Sequence, residues 1–266
     1  MINLYVQNES ARSEELAEQI ERLLTQAMPA VEKVTGLPAP DTVTVELVDV
    51  DGLAIAWSAF IRRQIERDTA ELDLTEWQRK RAAALPQAER WRALKVGMST
   101  EYTLIANSTG RPSTLLIPEA LGQQGLTDPD RLCELLVRAL AEQTQVTACG
   151  GTLVPAPVWP QTLATRDVNT LLSHGHAQWT SEKATPLILG HPVVREDRRK
   201  QRHVKKVFSL LGFGVARQQA RATALVDEAI AAVGTDRFNH VWTAAGLLPS
   251  VAELRQPARW IKRLPA

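Results

Sequence analysis

The stretch Asp128-Pro-Asp-Arg-Leu-Cys-Glu-Leu-Leu-Val-Arg-Ala-Leu-Ala-Glu-Gln-Thr-Gln145 decides how this chain is read. Asp128 is an N-cap residue, and Pro129 sits at the first helical position, where a missing N–H costs nothing. The helix is expected to run to about Gln145 and to stop before Cys149-Gly-Gly151. Cys133 falls at a buried helical position with no His near it in sequence, so it reads as inert. Arg138 and Glu142 stand at i and i+4 on this helix, close enough to pair with each other.

Toward the N-terminus the pattern is mixed. Leu16, Ile20, Leu23, Leu24, Ala27, Val31 and Val34 recur at helical spacing and predict one helix over 10–35. Pro29 is expected to kink it and Gly36-Leu-Pro-Ala-Pro40 to end it. Thr42-Val-Thr-Val-Glu-Leu-Val-Asp-Val50 is β-branched and alternating, which predicts a strand. Residues 53–95 read as helical with breaks near Asp73-Leu-Thr-Glu76 and Pro86, and Trp57, Phe60, Trp77 and Trp91 read as core anchors. Glu101–Ala106 and Ser113–Ile117 are expected strands, joined by Asn107-Ser-Thr-Gly-Arg-Pro112, which has turn chemistry.

Toward the C-terminus only helices are expected: about 164–184, near 203–211, an alanine-rich one at 215–233 after a break at Gly212-Phe-Gly214, a short one through Trp242, and a helical tail from Ser250. The fold class is therefore α+β, mostly α, with a small N-terminal sheet and a helical C-terminal half.

Composition narrows the function classes. The 31 Lys and Arg against 30 Asp and Glu leave a formal charge of +1, which argues against a dedicated nucleic-acid binder. No apolar window is long enough for a membrane span, and the N-terminus lacks secretory features, so a cytoplasmic protein without a membrane partner is expected. Arg195-Glu-Asp-Arg-Arg-Lys-Gln-Arg-His-Val-Lys-Lys206 is strongly basic but has no interleaved aromatics, and reads as a solvated linker entering a helix rather than a phosphate patch. The two cysteines have no zinc-site spacing, so a metal would have to come from carboxylates and the five histidines, His174, His176, His191, His203 and His240. His174 and His176 are the first candidates as metal ligands, but at i and i+2 they share an ion only if the backbone there is not helical. There is no His-Glu-x-x-His, no Gly-x-Ser-x-Gly and no phosphate-binding loop.

A resemblance adds what spacing alone does not give. Gln218-Gln-Ala-Arg221, Gly234-Thr-Asp-Arg-Phe-Asn-His-Val-Trp242, Leu248-Pro249, Glu253-Leu254 and Pro257-Ala-Arg-Trp260 resemble the end of the actinobacterial zinc-dependent metalloproteases, which are zincin-like. The resemblance covers about residues 113–263 and implies a single zincin-like domain over 1–266, with an N-terminal lobe of about 1–127 and a C-terminal lobe of about 128–266. Gly175-His176-Ala177 matches that family's Gly-His-Ala, and His174 stands where the family has Glu. The family's His-Glu-x-x-His falls on Arg138, Ala139 and Glu142, so both helical zinc ligands and the general base are replaced. Arginine stays protonated and has no acceptor, and alanine cannot take a proton. The resemblance thus implies a pseudoenzyme without a cofactor that binds a peptide, partner protein or small molecule in the former active-site cleft. The alternative is a divergent metal-dependent hydrolase or other enzyme using His174, His176 and Glu142, with zinc.

Overall fold

The structure, a computed structural model, describes residues 1–6, 11–159, 163–193 and 209–265. The basic run 195–206 and His203 lie outside these.

One mixed sheet carries strands β1 (Ile2–Val6), β2 (Val43–Leu47), β3 (Thr103–Ala106) and β4 (Pro112–Leu116) in the order β1-β2-β4-β3. β1 and β2 pair in parallel, with Leu4 opposite Val45, and β2 and β4 pair in parallel, with Glu46 opposite Leu115. β3 returns antiparallel to β4. The turn between them is held by Asn107, whose side chain accepts from the Thr109 and Arg111 amides at 3.0 and 3.1 Å. The expected sheet is present, with one strand more: β1 has the alternation of a strand, yet it is five residues long at a chain end and at the sheet edge.

Helix α1 (Ala11–Thr35) crosses between β1 and β2, as parallel pairing requires. Its buried stripe of Ile20, Leu24, Ala27 and Val31 packs with Val43, Val45, Leu47 and Leu116 on one sheet face. Gly36 ends it with a positive φ of 63°, its amide donating to the Glu32 carbonyl at 2.9 Å. The other sheet face, through Ile105, Leu115 and Ile117, packs against Phe60, Ile61, Ile65 and Ala82. These come from helices α2 (Val50–Thr69) and α3 (Glu76–Val96). Asp49 caps α2 through the Gly52 amide at 2.7 Å, and Thr75 with Gln78 forms a capping box at the start of α3.

Three expectations change in this layer and the next. Pro86 lies inside α3 without ending it. Trp77 and Trp91 are 66% and 59% exposed, because α3 turns them away from the sheet; Phe60 alone of the four aromatics is fully buried. Gly212-Phe-Gly214 does not divide two helices: α7 (Ser209–Val233) runs through it, since each helical glycine costs only about 1 kcal/mol.

A short helix α4 (Pro118–Gln124) leads to α5 (Pro129–Ala148), capped by Asp128 as expected. α5 packs against α1 and against α6 (Leu163–Leu189), and α6 packs against α7. A second core gathers Leu172, Trp179, Leu225 and Val226 with Phe238, Trp242 and Trp260 from α8 (Thr235–Asn239), the 3₁₀ turns after it and α9 (Pro257–Arg263). The Gly234–Trp242 run is thus structural. Phe238 and Trp242 are core, and Asn239 Nδ2 donates to the Thr35 carbonyl at 2.8 Å, completing the end of α1.

Gly175 is required by a close helix crossing rather than by backbone freedom. A Cβ there would stand 2.7 Å from the Ala222 carbonyl carbon of α7.

Candidate functional site

A cleft of about 1800 Å³ opens between the segment entering β3, the outer face of α5, and one side of α6 and α7. Three elements supply its floor. α5 presents Arg138 and Glu142 one turn apart, α6 presents Asn169, Ser173 and His174, and the loop before β3 presents Glu101 and Tyr102.

Arg138 does not pair with Glu142 as the i, i+4 spacing suggests. Its guanidinium donates to Glu101 Oε2 at 2.6 Å and its Cζ lies 5.8 Å from the centre of the Tyr102 ring. Burial works against its charge, but Tyr102 and Glu101 more than offset this and hold its pKa above the ordinary arginine value. Glu142, nearly buried, instead accepts from the Tyr102 hydroxyl at 2.9 Å and lies 3.6 Å from His174 Nε2. Burial, and next the Glu142 charge, push the Tyr102 pKa well above its usual value, so the phenol stays a neutral donor. Ala139, between them in sequence, is buried and offers no polar atom.

The Arg138–Glu101 pair is a testable part of this floor. Glu101→Gln removes the hydrogen-bonded counter-charge of the guanidinium, which is 14% exposed. The expected loss is about 1–2 kcal/mol in urea melts, between the values for open and enclosed pairs. The Glu101→Gln/Arg138→Met double variant recovers part of it; an unchanged single variant shows the pair to be solvent-screened.

The two histidines part company. Residues 174–176 lie inside regular α6, so their imidazoles leave on different faces. His174 is half exposed and faces the cleft beside Glu142. His176 is fully buried in the second core, stacked with Trp179 and Phe238 and edge-on to Trp242, at centroid distances of 5.8, 5.5 and 5.3 Å. Gln145 orients it. The Gln145 amide donates to the Ser173 carbonyl at 3.1 Å and to His176 Nδ1 at 2.9 Å, while its Oε1 accepts from the Ser173 hydroxyl at 2.5 Å. Because Nδ1 accepts, the ring proton sits on Nε2, which has no hydrogen-bond partner among the described residues and faces aromatic walls. Burial lowers the pKa of His176 from 6.5 to about 3.

Around His174 the donor set is therefore one imidazole and one carboxylate, Glu142, since Glu101 is taken by the Arg138 guanidinium. Zinc sites use at least three protein ligands, so these residues do not suit a zinc ion. Among the described residues no group of three or more His, Cys, Asp or Glu could hold a metal. His191 lies 3.7 Å from Asp130, and His240 is exposed on its 3₁₀ turn.

Sequence reasoning missed Glu101, Tyr102 and Asn169, which reach the cleft from a loop and an earlier turn of α6. It also missed Asp227, which joins Trp179 Nε1 at 2.8 Å to Lys183 at 3.2 Å on the cleft wall. The Trp179 bond first, and then that of Lys183, lower the Asp227 pKa. No motif marks these residues; only the approach of the loop and α6–α7 to α5 assembles them.

The fold has a solved counterpart. A Chloroflexus aurantiacus protein, described as a candidate hydrolase with a novel fold, superposes with a TM-score of 0.60 at 16% identity, over 96% of this chain and 92% of that one. At this identity the likeness is one of fold. No curated protein matches the sequence significantly. Residues 117–261, more than half of the chain, match the family model described as zincin-like metallopeptidase. The helix of the opening stretch and the signature run that closes the second core both fall within that match, and the chain belongs to the zincin-like metallopeptidase family.

Proposed function

We propose that this chain is a zincin-like protein that has lost metallopeptidase chemistry and uses the former active-site cleft to bind a peptide or a segment of a partner protein. The observation that carries the reading is Arg138. On the helix where the family resemblance puts the first zinc ligand, a guanidinium is locked by Glu101 and lies near the Tyr102 ring. A fixed cation beside a site with two donors repels a second cation. No catalytic step through a metal is derived for it.

A peptide ligand is favoured over a small molecule by β3. It is an edge strand of the sheet, and its Thr103 and Leu104 line the cleft. An extended segment can add to such an edge through main-chain hydrogen bonds, with neighbouring pockets reading alternate side chains. In this reading the chain is one domain of two lobes, about 1–127 and 128–266, that share the cleft.

Metal analysis of protein purified without a histidine tag tests the proposal. Zinc well below one equivalent is expected. Stoichiometric zinc that is lost on His174→Ala overturns it and favours a metal enzyme. The combined Arg138→His, Ala139→Glu, Glu142→His variant is expected to gain zinc affinity; if it gains none, the helix register behind the reading is wrong.

A further inference from the structure

The surface of α3 presents a second feature, remote in chemistry from the cleft floor. Trp77, Arg81, Ala84, Ala88, Trp91 and Lys95 are all exposed and recur every three or four residues, so they form one stripe along the helix, flanked by exposed Lys80 and Arg92. The two indoles lie about 21 Å apart along the axis at 1.5 Å per residue. Such side chains are normally buried or engaged, and here they stand more than half exposed.

One end of the stripe is preorganised. Arg81 lies between two indoles, 5.4 Å from the centre of Trp77 and 5.8 Å from that of Trp159. Trp159 is fixed in turn, since the Val158 and Trp159 amides donate to Asp68 Oδ2 at 2.8 and 3.0 Å. An arginine drawn to aromatic rings on either side by cation–π attraction still has N–H donors to offer an anion. The helix carries six Lys and Arg against two Glu, in a chain whose net charge is only +1. Of those acids, Glu76 is paired with Lys80 at 2.8 Å, and Glu89 accepts from Trp57 Nε1 at 3.2 Å and lies 3.6 Å from Arg92 Nη1. The charge left over on this face is positive.

We propose that the α3 face docks peripherally on an anionic phospholipid surface, with Trp77 and Trp91 entering the headgroup region and Arg81 and Lys95 meeting lipid phosphates. Tryptophan favours the membrane–water interface, and basic residues beside it add attraction to anionic lipid. A nucleic acid shares the phosphate chemistry, but stacking on successive bases needs aromatics at base spacing, not two indoles four turns apart. The contact is peripheral: no helix among the described residues is long and apolar enough to cross a membrane.

Vesicle co-sedimentation of the full chain tests this, with vesicles of phosphatidylcholine alone and with about one-third phosphatidylserine. Binding is expected to the anionic vesicles only, weakened by salt and reduced about tenfold or more in Trp77→Ala/Trp91→Ala. That variant changes exposed side chains, so its thermal melt is expected to stay that of the parent. Arg81→Gln is expected to weaken binding without abolishing it. No binding to anionic vesicles, equal binding to neutral ones, unchanged binding by the double variant, or capture of a DNA oligonucleotide in place of vesicles each overturns the proposal.

Discussion

Between pH 6.5 and 4.5 the chain is expected to lose about 2 kcal/mol of folding stability through His176 alone. Folded, this imidazole titrates at about 3, against 6.5 when free of burial. The unfolded chain therefore takes up a proton that the folded chain refuses. The stabilisation is fully present above pH 6.5 and falls by about 1.4 kcal/mol per pH unit as pH drops toward 3. The upper end of this window is the most informative, because Glu253, whose pKa Arg263 lowers from 4.5 to about 2, contributes increasingly as pH approaches 4.5. Urea melts across this range measure the slope. His176→Phe keeps an aromatic ring among Trp179, Phe238 and Trp242 but removes the titration, so its slope should flatten by about one proton. An equal slope in the two proteins would show that His176 is not the group responsible.

The second large effect is expected at Gly175. Gly175→Ala raises intrinsic helix propensity by about 1 kcal/mol, yet it is expected to destabilise the chain by about 2–3 kcal/mol net. The added methyl would meet the backbone carbon and oxygen of Ala222 at 2.7 and 2.8 Å, and helix backbone cannot rotate aside as a side chain can. α6 and α7 must separate, and they carry the cleft wall and half of the second core. Gly246→Ala is the control, since nothing lies within 4 Å of a Cβ there, and it should be close to neutral. Equal thermal melts for the two variants would refute the close crossing.

These two residues mark where the sequence stops being legible. The capped start of α5, the stripe of α1 and the Asn107 turn follow from local chemistry, and all three form as their residues dictate. Family resemblance singled out the Gly175-His176 pair, yet physical reasoning at the sequence level had no means of telling a buried ring from a ligand. The pair belongs to packing: Gly175 to a crossing with α7, and His176 to an aromatic box completed from residues more than sixty positions away. Arg138 is a similar case. Its best local partner was Glu142, but Glu101 arrives from a loop and Tyr102 takes Glu142, and no periodicity encodes either approach. Trp77 and Trp91 fail in the other direction, because hydrophobicity alone does not say which side of α3 meets the sheet.

The bond from Asn239 to the Thr35 carbonyl has a consequence for synthesis as well as for architecture. It closes a loop of 204 residues, so the end of α1 stays unfinished on the ribosome until residue 239 has emerged. The β1–α1–β2 unit can assemble early through local contacts, but the last turn of α1 and Val34 beside it wait for the signature run near the C-terminus. A nascent chain arrested before residue 239 should therefore hold α1 with a frayed end and an open second core, a ready target for chaperones and proteases.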